Sequence, residues 1–338
     1  MTPKSRDLLV VKDSRGGVNN PADSVVTAFY QYIFKDLVYD YSDASVEDSL
    51  TLAILGKYQK IVWLSNTYSD QPNSSFVRNR EDIISYAKNG GQFFLASFQP
   101  SFLIAQNVKF NQVFTPDEEI FNTFKIQQVE RKPAAALNGA YPVASDYDSL
   151  WIDPLKSMAQ FPGHVLNVEC IFPTPDATLI YRFNSAYDTA TTQGKMKNKP
   201  IGIEYLGDDF KVIVLSVPVY YLDTLDAKTL LEFVVNEKFK SSTGIGDTPR
   251  RRSLVTRLTS QPNPCREETT VNYRLSAETP VTLDLYTQTG TRVLHWEEGR
   301  KGPGSHRVVL PLPGFSKGFY LLVLQAGNEI YMAKLIVQ

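Results

Sequence analysis

Apolar and polar positions change rhythm partway along this chain. In the first two thirds, short runs of consecutive apolar residues alternate with longer stretches whose apolar positions recur every three or four residues. "DLLVV" (7–11), "KIVWL" (60–64), "QFFLAS" (92–97) and "FKVIVLS" (210–216) are of the first kind and predict buried strands. Helices are predicted between them. One is capped by Asn20, with Pro21 at its first position and Asp23 in its first turn, and turns Val25, Val26, Phe29, Tyr32 and Ile33 inward. A second buries Phe76, Ile83, Ile84 and Ala87 and leaves through a left-handed Gly90-Gly91 exit. A third, after residue 225, buries Leu230, Leu231, Val234 and Phe239. Strands alternating with amphipathic helices predict an α/β body, a doubly wound and mostly parallel sheet with helices on both faces. The rhythm breaks between residues 100 and 200, where "ATLIYRF" and "IGIEYLGDDFKVIVLS" suggest antiparallel additions around a Gly-Asp-Asp turn.

From residue 255 the pattern becomes alternation with a period of two. Seven short strands follow, marked off by "TQTGT", "GRKGPGS", "PGFSKG" and "AGNE", and Val281, Leu283 and Leu285 share one face. Seven alternating strands in so short a stretch predict an Ig-like β-sandwich. "SSTGIGDTPRRRS" has no period at all. The expected organisation is therefore an α/β domain at 5–243, a linker at 244–254 and a β-sandwich at 255–338.

Composition changes this picture little. The chain has 338 residues, 43% of them hydrophobic, with a net charge of −1 and two cysteines, Cys170 and Cys265, expected as unpaired thiols in separate domains. Residues 250–338 carry 12 basic and seven acidic side chains, an excess of five. Part of that excess is Arg250, Arg251 and Arg252 in the linker, without the interleaved aromatics of a nucleic-acid surface, so no nucleic-acid partner is expected. No apolar run reaches membrane-spanning length, and the N-terminus does not read as a signal peptide.

Three stretches, "DLLVVKDS", "YQKIVWLSN" and "IISYAKNGGQFFLASF", resemble class I glutamine-amidotransferase-like domains of flavodoxin-like topology. The resemblance spans about residues 5–240, and "FKVIVLSVPVYYLDTLDA" resembles the closing strand and helix of secreted members. At the other end, five features occur in order. They are Pro262-Asn263-Pro264, "VTLDLYTQTGTRV" turning at Gly290, "GPGSHRVVL", "KGFYLLVLQ" and the terminal "IYMAKLIVQ". Together they resemble the C-terminal sorting domain of the type IX secretion system, related to the Ig-like domain of flagellar hook-capping proteins. This resemblance implies export by that machinery to a secreted or cell-surface location. It also implies that the sequence is a mature form or a piece of a longer protein, since exported members carry a leader.

The chemistry expected of the first domain is sparse. An amidotransferase-like enzyme would carry its nucleophile on a Gly-flanked elbow, whereas the corresponding "LASFQPSFL" has Ser97 and Ser101 on either side of Pro100. Of three histidines, only His164 lies in this domain. No metal-ligand spacing or phosphate loop occurs, and no cofactor or metal is expected. Ligands of open α/β sheets sit beyond the carboxyl ends of the strands. That rule selects Asp13, Ser14, Asn66, Ser97 and Gln99, with Ser65 beside them, small polar residues suited to the hydroxyls and amides of a glycan or peptide. The expected protein is thus a surface or secreted binding module without catalysis. The alternative is a secreted hydrolase of the amidotransferase-like or sugar-processing group with a displaced nucleophile: Ser97, Ser101 or Cys170.

Overall fold

Consecutive β-branched and aromatic residues, buried on both sides, build the centre of the first sheet. The computed structural model describes residues 4–14, 20–46, 50–66, 74–157, 162–240, 255–275, 277–287, 290–327 and 329–338. The expected linker at 244–254, with Arg250 to Arg252, lies outside them. The chain divides into two units, Met1–Ser241 and Ser242–Gln338. In chain order, unit 1 contains β1 (Arg6–Lys12), α1 (Asp23–Ile33), β2 (Asp40–Asp43), α2 (Leu52–Leu55), β3 (Tyr58–Leu64), α3 (Ser75–Arg78), α4 (Arg80–Lys88), β4 (Gln92–Ala96) and α5 (Pro100–Ile104). It continues with β5 (Asn111–Val113), α6 (Glu119–Asn122), β6 (Ile126–Arg131), β7 (Gly139–Pro142), β8 (Leu150–Trp151), β9 (Glu169–Pro173), β10 (Thr178–Asn184), β11 (Pro200–Leu206), β12 (Lys211–Leu215) and α7 (Thr224–Phe233).

Nine strands form the main sheet in the order β2-β1-β3-β4-β12-β11-β10-β7-β8. The half from β2 to β12 is parallel, and the half from β12 to β8 is antiparallel. This corrects the expected doubly wound, flavodoxin-like α/β class. Among the described residues strands account for 42% and helices for 19%, so they are mostly β, with a large mixed sheet and further antiparallel sheets. The physical reason lies in residues 97–210. In a doubly wound fold the neighbours β4 and β12 would be joined by one crossover helix. Here the connection builds β5 to β11 instead, extending the main sheet and adding a three-stranded sheet, β5-β6-β9.

That small sheet shares one face of the main sheet with helices. Val11, Trp63, Leu95 and Val214 pack against Ile83 and Ala87 of α4, Ile126 and Val129 of β6, and Ile171 of β9. The other face, with Val10, Val62, Phe94 and Ile213, is covered by α1 and α7 through Val26, Phe29, Tyr30, Ile33, Leu230 and Leu231. Helix α1 starts at Asp23, with Ala22 and not Asn20 in the cap position. Its buried stripe is Val26, Phe29, Tyr30 and Ile33, a complete i, i+3, i+4, i+7 set. Val25 and Tyr32, expected inside, flank that stripe and are exposed. The exit of α4 forms as expected. Gly90 is left-handed at φ 79°, and a Cβ on Gly91 would stand 2.4 Å from the Tyr86 ring.

Unit 2 contains β13 (Val255–Gln261), β14 (Glu268–Leu275), β15 (Thr279–Thr287), β16 (Arg292–Lys301), β17 (Gly304–Pro311), β18 (Gly318–Ala326) and β19 (Glu329–Val337). They form two antiparallel sheets, β13-β14-β17 and β16-β15-β18-β19. Val271, Tyr273, Leu283, Leu285, Leu310, Leu322, Leu324 and Leu335 share one core between them. The period-two alternation thus locates each strand. Tyr320 is buried and its hydroxyl donates to the Ser316 carbonyl at 2.9 Å.

The Pro-Asn-Pro motif closes an edge. The peptide bonds preceding Pro262 and Pro264 are cis. Between the prolines, the Asn263 amide does what a neighbouring strand would do. Its Nδ2 donates to the Lys334 carbonyl at 2.7 Å, and its Oδ1 accepts from the Ile336 N–H at 2.9 Å. Cys265 continues the pairing, donating to the Ile336 carbonyl and accepting from the Gln338 N–H. Two otherwise open groups of edge strand β19 are satisfied by one side chain. Asn263→Ala is expected to lower the stability of unit 2 by about 2 kcal/mol. Faster amide exchange confined to Lys334–Val337 would check it.

Candidate functional site

The parallel half of the main sheet ends in a row of small polar residues. The ladder runs one residue past each strand: Asp13 N–H donates to Leu64 O, Ser65 N–H to Ala96 O, Ser97 N–H to Leu215 O and Ser216 N–H to Ile201 O. This register sets Asp13, Ser65, Ser97 and Ser216 at one rank across β1, β3, β4 and β12. Ser14 and Asn66 are the next residues on their strands. Asp13, Ser14, Asn66 and Ser97 are therefore at the carboxyl edge, whereas Gln99 precedes α5; all five predicted site residues are buried, at most 9% exposed.

Their side chains do different things. Asp13 is committed inward. Its carboxylate accepts from the indole Nε1 of Trp63 at 3.1 Å and from the N–H groups of Ser75 and Phe76 at 3.0 and 2.9 Å, so it caps α3 and orients Trp63. Burial raises its pKa, against the pull of those donors. Ser14 faces the Tyr30 phenol. The hydroxyls of Ser65, Ser97 and Ser216 have no hydrogen-bond partner among the described residues, leaving unused hydrogen-bonding capacity along the edge. Lys12, fully buried just below, is held by Asp43 at 2.6 Å and Asp23 at 2.5 Å.

Gln99 belongs to a second cluster, which sequence reasoning missed. Glu169, at the start of β9, accepts from the Ser101 hydroxyl at 2.6 Å and from the Ser101 N–H at 3.0 Å, closing the N-terminus of α5. Arg131 forms an ion pair with Glu169 at 3.3 Å without hydrogen-bond geometry at Nε. Its other nitrogens donate to Gln99 Oε1 and to the carbonyls of Val108 and Lys109. The guanidinium lies between the rings of Phe102 and Phe110, at 3.9 and 4.9 Å. Gln99 also donates to the Asn167 carbonyl. Complete burial pushes the Glu169 carboxyl up to about 7, against the two Ser101 donors and Arg131. The available signal was a single charge inside an apolar run, as in "NVECIF".

The candidate nucleophiles are equally enclosed. Ser97 and Ser101 have no exposed surface. Cys170 is buried, and burial pushes its thiol well above the ordinary range. His164 is tied through Nδ1 to the Pro162 carbonyl and sits against Tyr187. Among the described residues, no group of three or more His, Cys, Asp or Glu side chains is placed to hold a metal ion. None of their helices is long and apolar enough to cross a membrane.

With this geometry in place, comparison decides one of the two units. Residues 261–338 match the family model described as "Secretion system C-terminal sorting domain". The C-terminal unit is a secretion-system sorting domain. The matched stretch opens at Gln261, directly before the Asn263 clasp, and takes in the six strands from β14 to β19. Outside the sorting domain the comparisons are thin. No curated protein sequence matches the chain. A ThuA-like protein from Bacteroides uniformis ATCC 8492 is 12% identical, over 70% of this chain and 92% of that one, at a TM-score of 0.36. A second ThuA-like protein, from Parabacteroides merdae ATCC 43184, is 10% identical over 63% and 79%, at 0.30. An exo-β-1,4-mannosidase from Opitutaceae bacterium strain TAV5 is 10% identical over 68% of this chain at 0.34, and the chain spans 34% of its length. Overlaps this loose assign neither fold nor activity to unit 1.

Proposed function

We propose that this chain is exported through a type IX secretion system, is secreted or held at the cell surface, and presents unit 1 there as a binding or scaffold module without catalysis. The match of residues 261–338 to a sorting domain carries the export half. In cells that possess that system, the full chain is expected outside and a chain lacking residues 255–338 is expected to stay inside. Equal export of both would overturn the reading.

The absence of catalysis is supported by enclosure. Ser97, Ser101 and Cys170 are buried, and the Ser101 hydroxyl is spent on Glu169. A ligand of hydroxyl and amide chemistry, a glycan or a peptide, is taken at the carboxyl edge, where Ser14 and Asn66 keep 4% and 2% of their surface to supply hydrogen bonds and Asp13 holds the edge in shape. The unused serine hydroxyls support this placement. Asn66→Ala combined with Ser14→Ala is expected to abolish binding on a glycan or peptide array that scores the parent positive; unchanged spots would remove the site.

One observation favours a second reading. Ser101 and Glu169 form a short contact beside a carboxyl whose pKa lies near neutrality, which is a base next to a hydroxyl. A fluorophosphonate probe decides between them. Labelling of Ser101 would make the protein a hydrolase with a displaced nucleophile, whereas the binding module leaves the probe unreacted.

A further inference from the structure

The two outer surfaces of the sorting domain differ in character. On an antiparallel sheet with one solvated face, residues alternate apolar inward and polar outward. The sheet β13-β14-β17 is the more polar outside: Thr270, Asn272, Arg274, Ser305 and Arg307 stand on its outer side, with Val309 and Pro311 at one end. The sheet β16-β15-β18-β19 departs from the rule. The inward positions Tyr320, Leu322, Leu324 and Leu335 are buried as expected. Six of the eight outward positions of β18 and β19 are apolar as well, Phe319, Leu321, Val323, Ile330, Met332 and Ile336, the other two being Gln325 and Lys334. The register pairs Phe319 with Ile336 and Val323 with Met332, so they form one continuous stripe across two strands. Ile330 and Met332 are 59% and 64% exposed. A contiguous exposed apolar stripe of this kind marks an interaction surface.

Its charge narrows the partner. Lys334 stands on the same face and lays its ammonium over the Phe319 ring at 4.4 Å. The nearby Asp284 is already matched by His295 and Arg292. The stripe therefore presents one cation in an apolar field, which a carboxylate on an apolar partner surface would complement. We propose that the outer face of β18 and β19 is where a protein of the secretion machinery docks, offering an apolar patch with a carboxylate against Lys334. This rests on the export reading, because the match to a sorting domain is what supplies a partner for this unit.

Export of the full chain in cells possessing the secretion system tests it. Met332→Glu and Lys334→Glu are expected to lose export. Val309→Glu, an exposed apolar position on the other sheet, is expected to be exported like the parent. All three are expected to keep the parent's urea midpoint, since none of these side chains is in the core; if Met332→Glu shifts it, Ile330→Ser takes its place. Parent-level export of both Met332→Glu and Lys334→Glu would overturn the docking face while leaving the export reading intact. Export of a chain lacking residues 255–338 would instead remove the export reading itself. A concentration-dependent dimer in sedimentation velocity that Met332→Glu dissolves, with export unchanged, would assign the stripe to a second copy and likewise overturn the proposal.

Discussion

Arg131→Met is expected to destabilise unit 1 by about 3–5 kcal/mol at pH 8, because it leaves the Glu169 carboxylate buried without its countercharge. Glu169 has no exposed surface, and its remaining partners, the hydroxyl and N–H of Ser101, are neutral. The loss is expected to depend on pH. In the parent, burial holds the folded carboxyl at about 7, above its ordinary value of 4.5. The folded chain therefore binds this proton more tightly than the unfolded chain does. Its contribution to stability is fully present below pH 4.5, declines as the pH rises towards 7 and is flat beyond, a span of about 3 kcal/mol. Arg131→Met pushes the carboxyl further up, so the variant recovers stability in acid, and its deficit at pH 5 shrinks to about 2 kcal/mol. Glu169→Gln removes the slope between pH 4.5 and 7 while keeping an acceptor for Ser101. Urea titrations read by amide exchange at β6 and β9 would measure both. A parent whose unit 1 is equally stable at pH 5 and pH 8 would contradict the account.

Asp13→Ala is the second large effect, about 4 kcal/mol, because three donors lose their acceptor inside the protein at once. Two are the first N–H groups of α3, and the third is the Trp63 indole, which packs edge-on against Phe76 with ring centroids 5.3 Å apart. Asp13→Asn, which keeps one acceptor oxygen, is expected to lose about half as much. Trp63 emission shifting to the red in Asp13→Ala before any denaturant is added would show that the indole has been released. A variant with parent-like emission and midpoint would mean that the carboxylate is dispensable.

What the sequence made legible was local. Runs such as "DLLVV" and "KIVWL" mark central strands because apolar residues on both faces leave no other placement. Alternation located the strands of the sorting domain because one face of each packs on a shared core. The class of unit 1 was not legible, because sheet order depends on pairings between distant segments. Nothing in "QFFLA" says that its neighbour is "KVIVL", more than a hundred residues on, or that the segment between them builds strands instead of a crossover helix. The edge residues Asp13, Ser14, Asn66, Ser97 and Gln99 could be placed at the ends of strands by rule. What they bond to could not, since Glu169 reaches Ser101 across 68 positions and Asp13 reaches Ser75 across 62. Asn263 shows the same limit: its motif was readable as a stop signal, but its role as an edge clasp becomes visible only beside Lys334 and Ile336.

That clasp brings the beginning of the sorting domain back to its last residue, Gln338, whose N–H is bonded to Cys265. Anything fused beyond Gln338 would therefore emerge beside the Pro-Asn-Pro turn, at the opposite end of β19 from Val255, whose N–H donates to the Tyr331 hydroxyl. A bulky reporter placed there would press on Asn263 and pry at the seam, so a purification handle belongs away from that end.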